Sequence, residues 1–220
     1  MTTRASHRGR LSGSEGLIDL QLLLQNLAAR RPVFHSEADF QHELAWEVRQ
    51  LFPEIDVRLE RPLDDTPGAT DLVLRKGRDV FGIELKFCSK ATQIYWLDEV
   101  FGLKQHGAHP LRRYDICKDV QRMESFNARY QCGAAVVVLT NDSAYWTGNG
   151  RADVCDDAFR ISEGRTLHGS LEWGASASAG TKRKRESTIE LNGSYTLNWK
   201  SYSEVDGKCG RFNYLLISVT

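Results

Sequence analysis

The sequence predicts an α/β domain: a central mixed sheet flanked by helices, followed by a C-terminal β-rich extension. Three observations lead there. Residues 69–87 (A-T-D-L-V-L-R-K-G-R-D-V-F-G-I-E-L-K-F) are two alternating runs joined by Lys76-Gly77-Arg78-Asp79, a short polar loop with a glycine, which signals a β-hairpin. Residues 134–139 (A-A-V-V-V-L) form a continuous apolar run, as in a central strand covered on both faces. Residues 36–52 and 114–130 carry apolar residues at helical spacing on either side of these strands.

The 220 residues suffice for one substantial core, or a core with an appendage. Lys and Arg together equal Asp and Glu, so the formal net charge is zero and any phosphate-binding surface must come from local clustering. Five scattered cysteines without a CxxC pair read as reduced thiols and offer no zinc site. No stretch approaches the length of an apolar membrane span, and the expectation is a soluble cytoplasmic protein.

In chain order, residues 1–16 are rich in Ser, Thr, Arg and Gly and are expected to be mobile. Residues 17–31 show a compact helical pattern ending before Pro32. A second helix is expected from Ser36, a good N-cap, to about Phe52, with Phe40, Leu44, Val48 and Leu51 as its core stripe. By helical phase Glu37 points nearest that stripe, with Glu47 and then Glu43 further round. Residues 55–60 alternate as a first strand, followed by an expected loop over 61–68. Residues 89–113 are less regular and interleave Tyr95, Trp96 and Phe101 with Lys104, His106, His109, Arg112 and Arg113. Such a segment suits either stacking of bases with phosphate contacts, or a surface excursion with a few buried aromatics.

Residues 114–130 predict a helix with Ile116, Val120 and Met123 on one face and Asp119 flanking them; Lys118 and Arg122 lie further round, on what reads as a solvated face. From Trp146 the composition changes. The core is taken as residues 17–145 and the extension as 146–220, with strands over 188–191, 194–199 and 212–219 that extend or cover the core sheet. A flexible loop near 174–187 carries Lys182-Arg183-Lys184-Arg185, a cluster suited to phosphate or simply to solvent.

The hairpin carries the chemistry. A turn centred between Gly77 and Arg78 sets Asp71 opposite Glu84, Val73 opposite Gly82 and Ala69 opposite Lys86. Opposed residues share a face. One face then holds Leu72, Leu74, Phe81, Ile83, Leu85 and Phe87, all apolar, and this fixes the register. The other gathers Asp71, Glu84 and Lys86 at one end. Adjacent carboxylates repel unless a cation lies between them or one is protonated, and hard oxygen ligands suit Mg²⁺ or Mn²⁺. Lys86 is placed to orient or deprotonate a water, or to neutralise developing negative charge. The plainer alternative is a surface hairpin with a solvated Glu–Lys pair.

Asp71, then Glu84-Leu85-Lys86 on the next strand, with a helix and a strand before them, resembles the signature of the PD-(D/E)XK nuclease superfamily over roughly residues 36–140. Thr70 stands where that pattern has proline. The resemblance implies a restriction-endonuclease-like fold and a Mg²⁺-dependent endonuclease or exonuclease, with Mn²⁺ able to substitute. Asp71 and Glu84 would hold the metal and Lys86 would be the catalytic lysine. The main-chain carbonyl of Ile83 or Leu85 is a further candidate ligand. In the superfamily the first core helix often adds an acid to the metal site; helical phase gives that role to Glu37, with Glu47 and Glu43 as alternatives. Lys104, Arg112, Arg113, Lys118 and Arg122 are the candidate nucleic-acid contacts, DNA being favoured over RNA. A homodimer or a partner subunit fits the superfamily. The competing expectation is a catalytically silent nucleic-acid-binding or scaffolding module; a hydrolase of another phosphate-containing substrate is a third.

Overall fold

A computed structural model describes residues 17–63, 66–148 and 154–220; the expected mobile segment 1–16 lies outside the described residues. The chain opens with helices α1 (Leu20–Arg30) and α2 (Glu37–Leu51). Strands β1 (Asp56–Leu63), β2 (Thr66–Lys76) and β3 (Asp79–Cys88) follow, then a small hairpin of β4 (Thr92–Trp96) and β5 (Glu99–Leu103). Helix α3 (His109–Tyr130) leads to β6 (Ala134–Thr140). The remainder supplies β7 (Thr166–Leu171), the short α4 (Ala179–Lys182), β8 (Ile189–Thr196), β9 (Trp199–Glu204) and β10 (Arg211–Val219).

Six strands form one mixed sheet in the order β1-β2-β3-β6-β10-β9. β1, β2 and β3 are an antiparallel meander, α3 then crosses over, and β6 lies parallel to β3. β10 pairs antiparallel with β6, and β9 with β10. The late strands therefore enlarge the core sheet, whereas β7 and β8 form a separate two-stranded ribbon.

The face alternation predicted for the hairpin is present. Leu72, Leu74, Phe81, Ile83, Leu85 and Phe87 are all buried in one cluster with Leu23, Leu24 and Leu27 of α1 and Phe40, Leu44 and Val48 of α2. The opposite sheet face, with Val73, Val136, Val138 and Leu215, is covered by Ile116, Cys117, Val120, Met123 and Phe126 of α3. Gly82 is what lets α3 come so close: a Cβ there would sit 2.9 Å from the Phe126 ring. β6, between β3 and β10, is buried along its whole length. Ser36 caps α2 as predicted, its Oγ accepting from the Asp39 amide at 3.1 Å.

Several expectations are corrected. Leu51 is 45% exposed, because it ends α2 beyond the sheet; Gln41, Ala45 and Glu47 are buried on the helix instead. The loop expected over 61–68 is the far end of a β1–β2 hairpin, whose tip lies outside the described residues. Pro62 is accommodated because β1 is an edge strand and its register shifts at Pro62/Leu63. α3 begins five residues before Tyr114, with proline in its first turn, where a missing N–H costs nothing. The strands read over 188–191 and 194–199 are one strand, β8, and β9 starts at Trp199. The five cysteines are free thiols. Among the described residues, no helix is long and apolar enough to cross a membrane.

Candidate active site

The β2–β3 ladder runs from Lys76 opposite Asp79 to Leu72 opposite Ile83, in the register read from the sequence, and stops there. Past that point β2 stays paired with β1 and β3 with β6, but no further β2–β3 pair forms. The hairpin is a fork. Buried main-chain groups still need partners, and along the β3 tine side chains supply them. The Leu85 amide donates to Asp71 Oδ2 at 2.6 Å and the Phe87 amide to Glu37 Oε2 at 2.8 Å. Lys86 Nζ donates to the Leu85 carbonyl at 3.1 Å, and His106 Nδ1 lies 2.7 Å from the Phe87 carbonyl, a contact in which the ring nitrogen must donate. On the β2 tine, Gln41 Nε2 donates to the Asp71 carbonyl and to Glu60 Oε1, both at 2.8 Å, and Arg122 Nη2 donates to the Ala69 carbonyl at 2.7 Å.

Glu84 and Lys86, on the face toward α3, meet Asp119 and Arg122, which are one helical turn apart on that helix. Lys86 Nζ is 2.9 Å from Asp119 Oδ2. Arg122 reaches Glu84 Oε1 at 2.9 Å and Oε2 at 3.5 Å, and Asp119 Oδ1 at 3.2 Å. The carboxylates are nearly sealed from water, Glu84 at 2% and Asp119 at 8% side-chain exposure. The contacts are close but not well aligned: Glu84 Oε1, Asp119 Oδ2 and Arg122 Nε have no hydrogen-bond partner.

Burial, and then the crowding of acids, sets the electrostatics. Burial pushes the Asp71 carboxyl up to about 6; the Leu85 N–H and Lys86 oppose the rise, while Glu37 and Glu60 add to it. Glu84 is raised well above the ordinary glutamate range by burial and by Asp119 and Asp71, against the pull of Arg122 and Lys86. Burial works to lower the Lys86 ammonium, but Asp119, Glu37 and Asp71 outweigh it and hold the lysine above its ordinary value. Five acids, Asp71, Glu84, Glu37, Glu60 and Asp119, thus share one neighbourhood with two cations, Lys86 and Arg122.

The fork brings together Asp71, Glu84, Lys86 and Glu37. It leaves out the two alternatives to Glu37: Glu47 pairs with Arg30, and Glu43 with Arg31 at 3.2 Å, on the α1 side of α2. Of the candidate nucleic-acid contacts, Lys104 and Lys118 are exposed, and Arg112 is half-buried beside Gly107. Arg113 is not a surface cation. It is buried, 2.7 Å from Asp156 Oδ2, and donates to the Ala144 carbonyl, because α3 starts early and turns this position inward. Arg122, read as lying on a solvated face, is inside the acidic network. In the basic run, Arg185 forms a two-pronged pair with Asp115 at 2.7 Å. The Leu85 carbonyl considered as a metal ligand is taken by Lys86.

Sequence reasoning missed Gln41, Glu60, the bond of His106 to the Phe87 carbonyl and the engagement of Asp119. For Glu60 a signal existed in hindsight only: it is the residue across β1 from Asp71, held at φ 48° and left unpaired in the ladder. Among the described residues, no three His, Cys, Asp or Glu side chains are gathered closely enough to hold a metal ion between them. Comparison of the chain with protein-family models, with curated proteins and with solved structures gave no match in any of the three.

Proposed function

We propose that this chain is a divalent-metal-dependent nuclease with a restriction-endonuclease-like core, hydrolysing phosphodiester bonds in nucleic acid, DNA in preference to RNA. The observation that carries the reading is the fork, where Asp71 and Glu84 from adjacent strands, Glu37 from the first core helix and Lys86 converge and side chains take over from the β2–β3 ladder. The succession α2, β1–β3 meander, α3, parallel β6 supports it as well.

The donor set fits Mg²⁺ or Mn²⁺. Asp71 and Glu84 are hard oxygen donors whose pKa values are raised by burial first and by neighbouring acids second, a condition a cation relieves, and Glu84 Oε1 is a buried oxygen without a hydrogen bond. Two carboxylates are a sufficient protein contribution, since Mg²⁺ commonly keeps waters and completes its shell with substrate phosphate. Bound there, the metal would polarise a phosphoryl oxygen and lower the pKa of a water. Asp71 and Glu84 would hold it, and Glu37, with one oxygen committed to the Phe87 amide, stands beside them as the third acid. Lys86 is held protonated by its acidic neighbours, so its part is to donate a hydrogen bond to the attacking water or to the charged phosphoryl oxygens.

One observation favours the alternative, a silent nucleic-acid-binding or scaffolding module: Glu84 is already paired with Arg122, and Lys86 with Asp119. A cleavage assay separates the two. Wild type and Lys86→Ala are incubated with plasmid, linear duplex, single-stranded DNA and structured RNA in Mg²⁺, Mn²⁺ or EDTA. The expected result is metal-dependent cutting by wild type and a loss of about 10²–10³-fold in rate for the variant. No cutting by either folded protein would favour the binding module.

A further inference from the structure

We infer that Arg122 is a built-in counter-ion of the candidate metal site: its guanidinium stands on Glu84 while the divalent cation is absent and leaves that carboxylate when the cation binds. The inference rests on the metal-dependent reading above and adds a means by which the site's affinity is set. Glu84 is sealed from water on β3, so ionising it needs a cation close by. Lys86, two residues along the same strand, contributes only at a distance, since its ammonium makes its close pair with Asp119 at 2.9 Å. Arg122 is the close cation, at 2.9 Å from Oε1 and 3.5 Å from Oε2.

The arrangement is built to let go. The contact with Oε1 is not an aligned hydrogen bond and the one hydrogen bond to Glu84, from Nη1 to Oε2, is long at 3.5 Å, so Arg122 holds Glu84 by charge more than by geometry. Its other anchors do not involve Glu84: Nη2 donates to the Ala69 carbonyl at 2.7 Å, and Nη1 is 3.2 Å from Asp119 Oδ1. A divalent cation on the same carboxylate takes up the charge that holds Arg122 and repels its guanidinium. On release from Glu84 the arginine stays tethered at both remaining anchors, beside the strand that carries Asp71. The competition weakens metal binding. It also spares the protein an uncompensated buried charge when the metal is absent.

The test is Mn²⁺ binding to the full-length chain, followed by electron paramagnetic resonance, for wild type, Arg122→Gln, Arg122→Lys and Glu84→Gln. Arg122→Gln is expected to bind Mn²⁺ about 5–20-fold tighter than wild type. Arg122→Lys, a point charge that cannot span Glu84 and Asp119 together, is expected to fall between the two. In wild type, the Arg122 side-chain Nε–H resonance is expected to shift on titration with diamagnetic Mg²⁺, a readout that requires no variant to fold. Unchanged or weaker Mn²⁺ binding in both Arg122 variants, with binding lost in Glu84→Gln, would overturn the counter-ion role and leave the metal site standing. Equal binding by wild type and Glu84→Gln, or none by either, would overturn both.

Discussion

The turn half and the open half of the β2–β3 hairpin are made from the same two strands and held by different chemistry. From Lys76–Asp79 to Leu72–Ile83 the backbones pair with each other, with apolar side chains buried above and below. Past Leu72 the backbones no longer pair, and carboxylates, an amide, a lysine, a histidine and an arginine take up their donors and acceptors. The first half is a scaffold whose partners are fixed by the ladder. In the second, the groups that complete the backbone are the same groups that are available for chemistry, so positioning and reactivity are joined in single side chains.

Breaking the scaffold half should cost the most. Ile83→Ala removes a fully buried side chain from the α1–α2 face and is expected to destabilise by about 2–5 kcal/mol in denaturant melts. A loss under about 1 kcal/mol would mean that this half is not the anchor.

The open half should respond in the opposite direction. Asp71 has its carboxyl raised from 3.8 to about 6 in the fold, so the unfolded chain loses its proton first as pH rises. Below about 4 both states are protonated and Asp71 imposes no penalty; stability then falls through the window up to about 6 and levels off. Asp71→Asn is expected to flatten that slope and to raise stability at pH 7–8 in metal-free buffer by about 1–2 kcal/mol, after allowing for partial solvent access. Thermal melts across pH 4–8 with EDTA measure it, and a destabilised variant at pH 8 would contradict it.

The smallest effect sharpens the division of labour. Glu37→Gln keeps an oxygen for the Phe87 amide and is expected to change stability by less than about 0.5 kcal/mol, whereas Glu37→Ala orphans that amide and should cost about 1–2 kcal/mol. Equal melts for the two variants would show that the Phe87 contact does not matter.

The scaffold half was legible because two local signals agreed: strict alternation, and a Gly-containing turn at Gly77, which adopts φ 63°. Six apolar residues on one face allow one register. The open half was legible in its residues but not in its bonds. Nothing local says that Asp71 caps Leu85, that Gln41 reaches across to β2 or that Arg122 pairs with Glu84, since these partners are 14 to 38 positions apart. Arg113 misled for the same reason, its partner Asp156 being 43 positions away. The β4–β5 hairpin was unread because its turn lacks the usual glycine or asparagine: Leu97 itself takes the left-handed conformation, at φ 52°.

The place of β10 has a consequence for how the protein is made. β6 is apolar along nearly its whole length and ends at Thr140, yet the strand that covers its outer edge begins only at Arg211. As the chain emerges from a ribosome, the meander, α3 and β6 are complete while that edge still shows unpaired N–H and C=O groups flanked by valines. Such an edge is a template for pairing with any other strand, including the same edge on a neighbouring nascent chain. Between those two moments the protein depends on speed, or on a chaperone, to remain a monomeric folding unit.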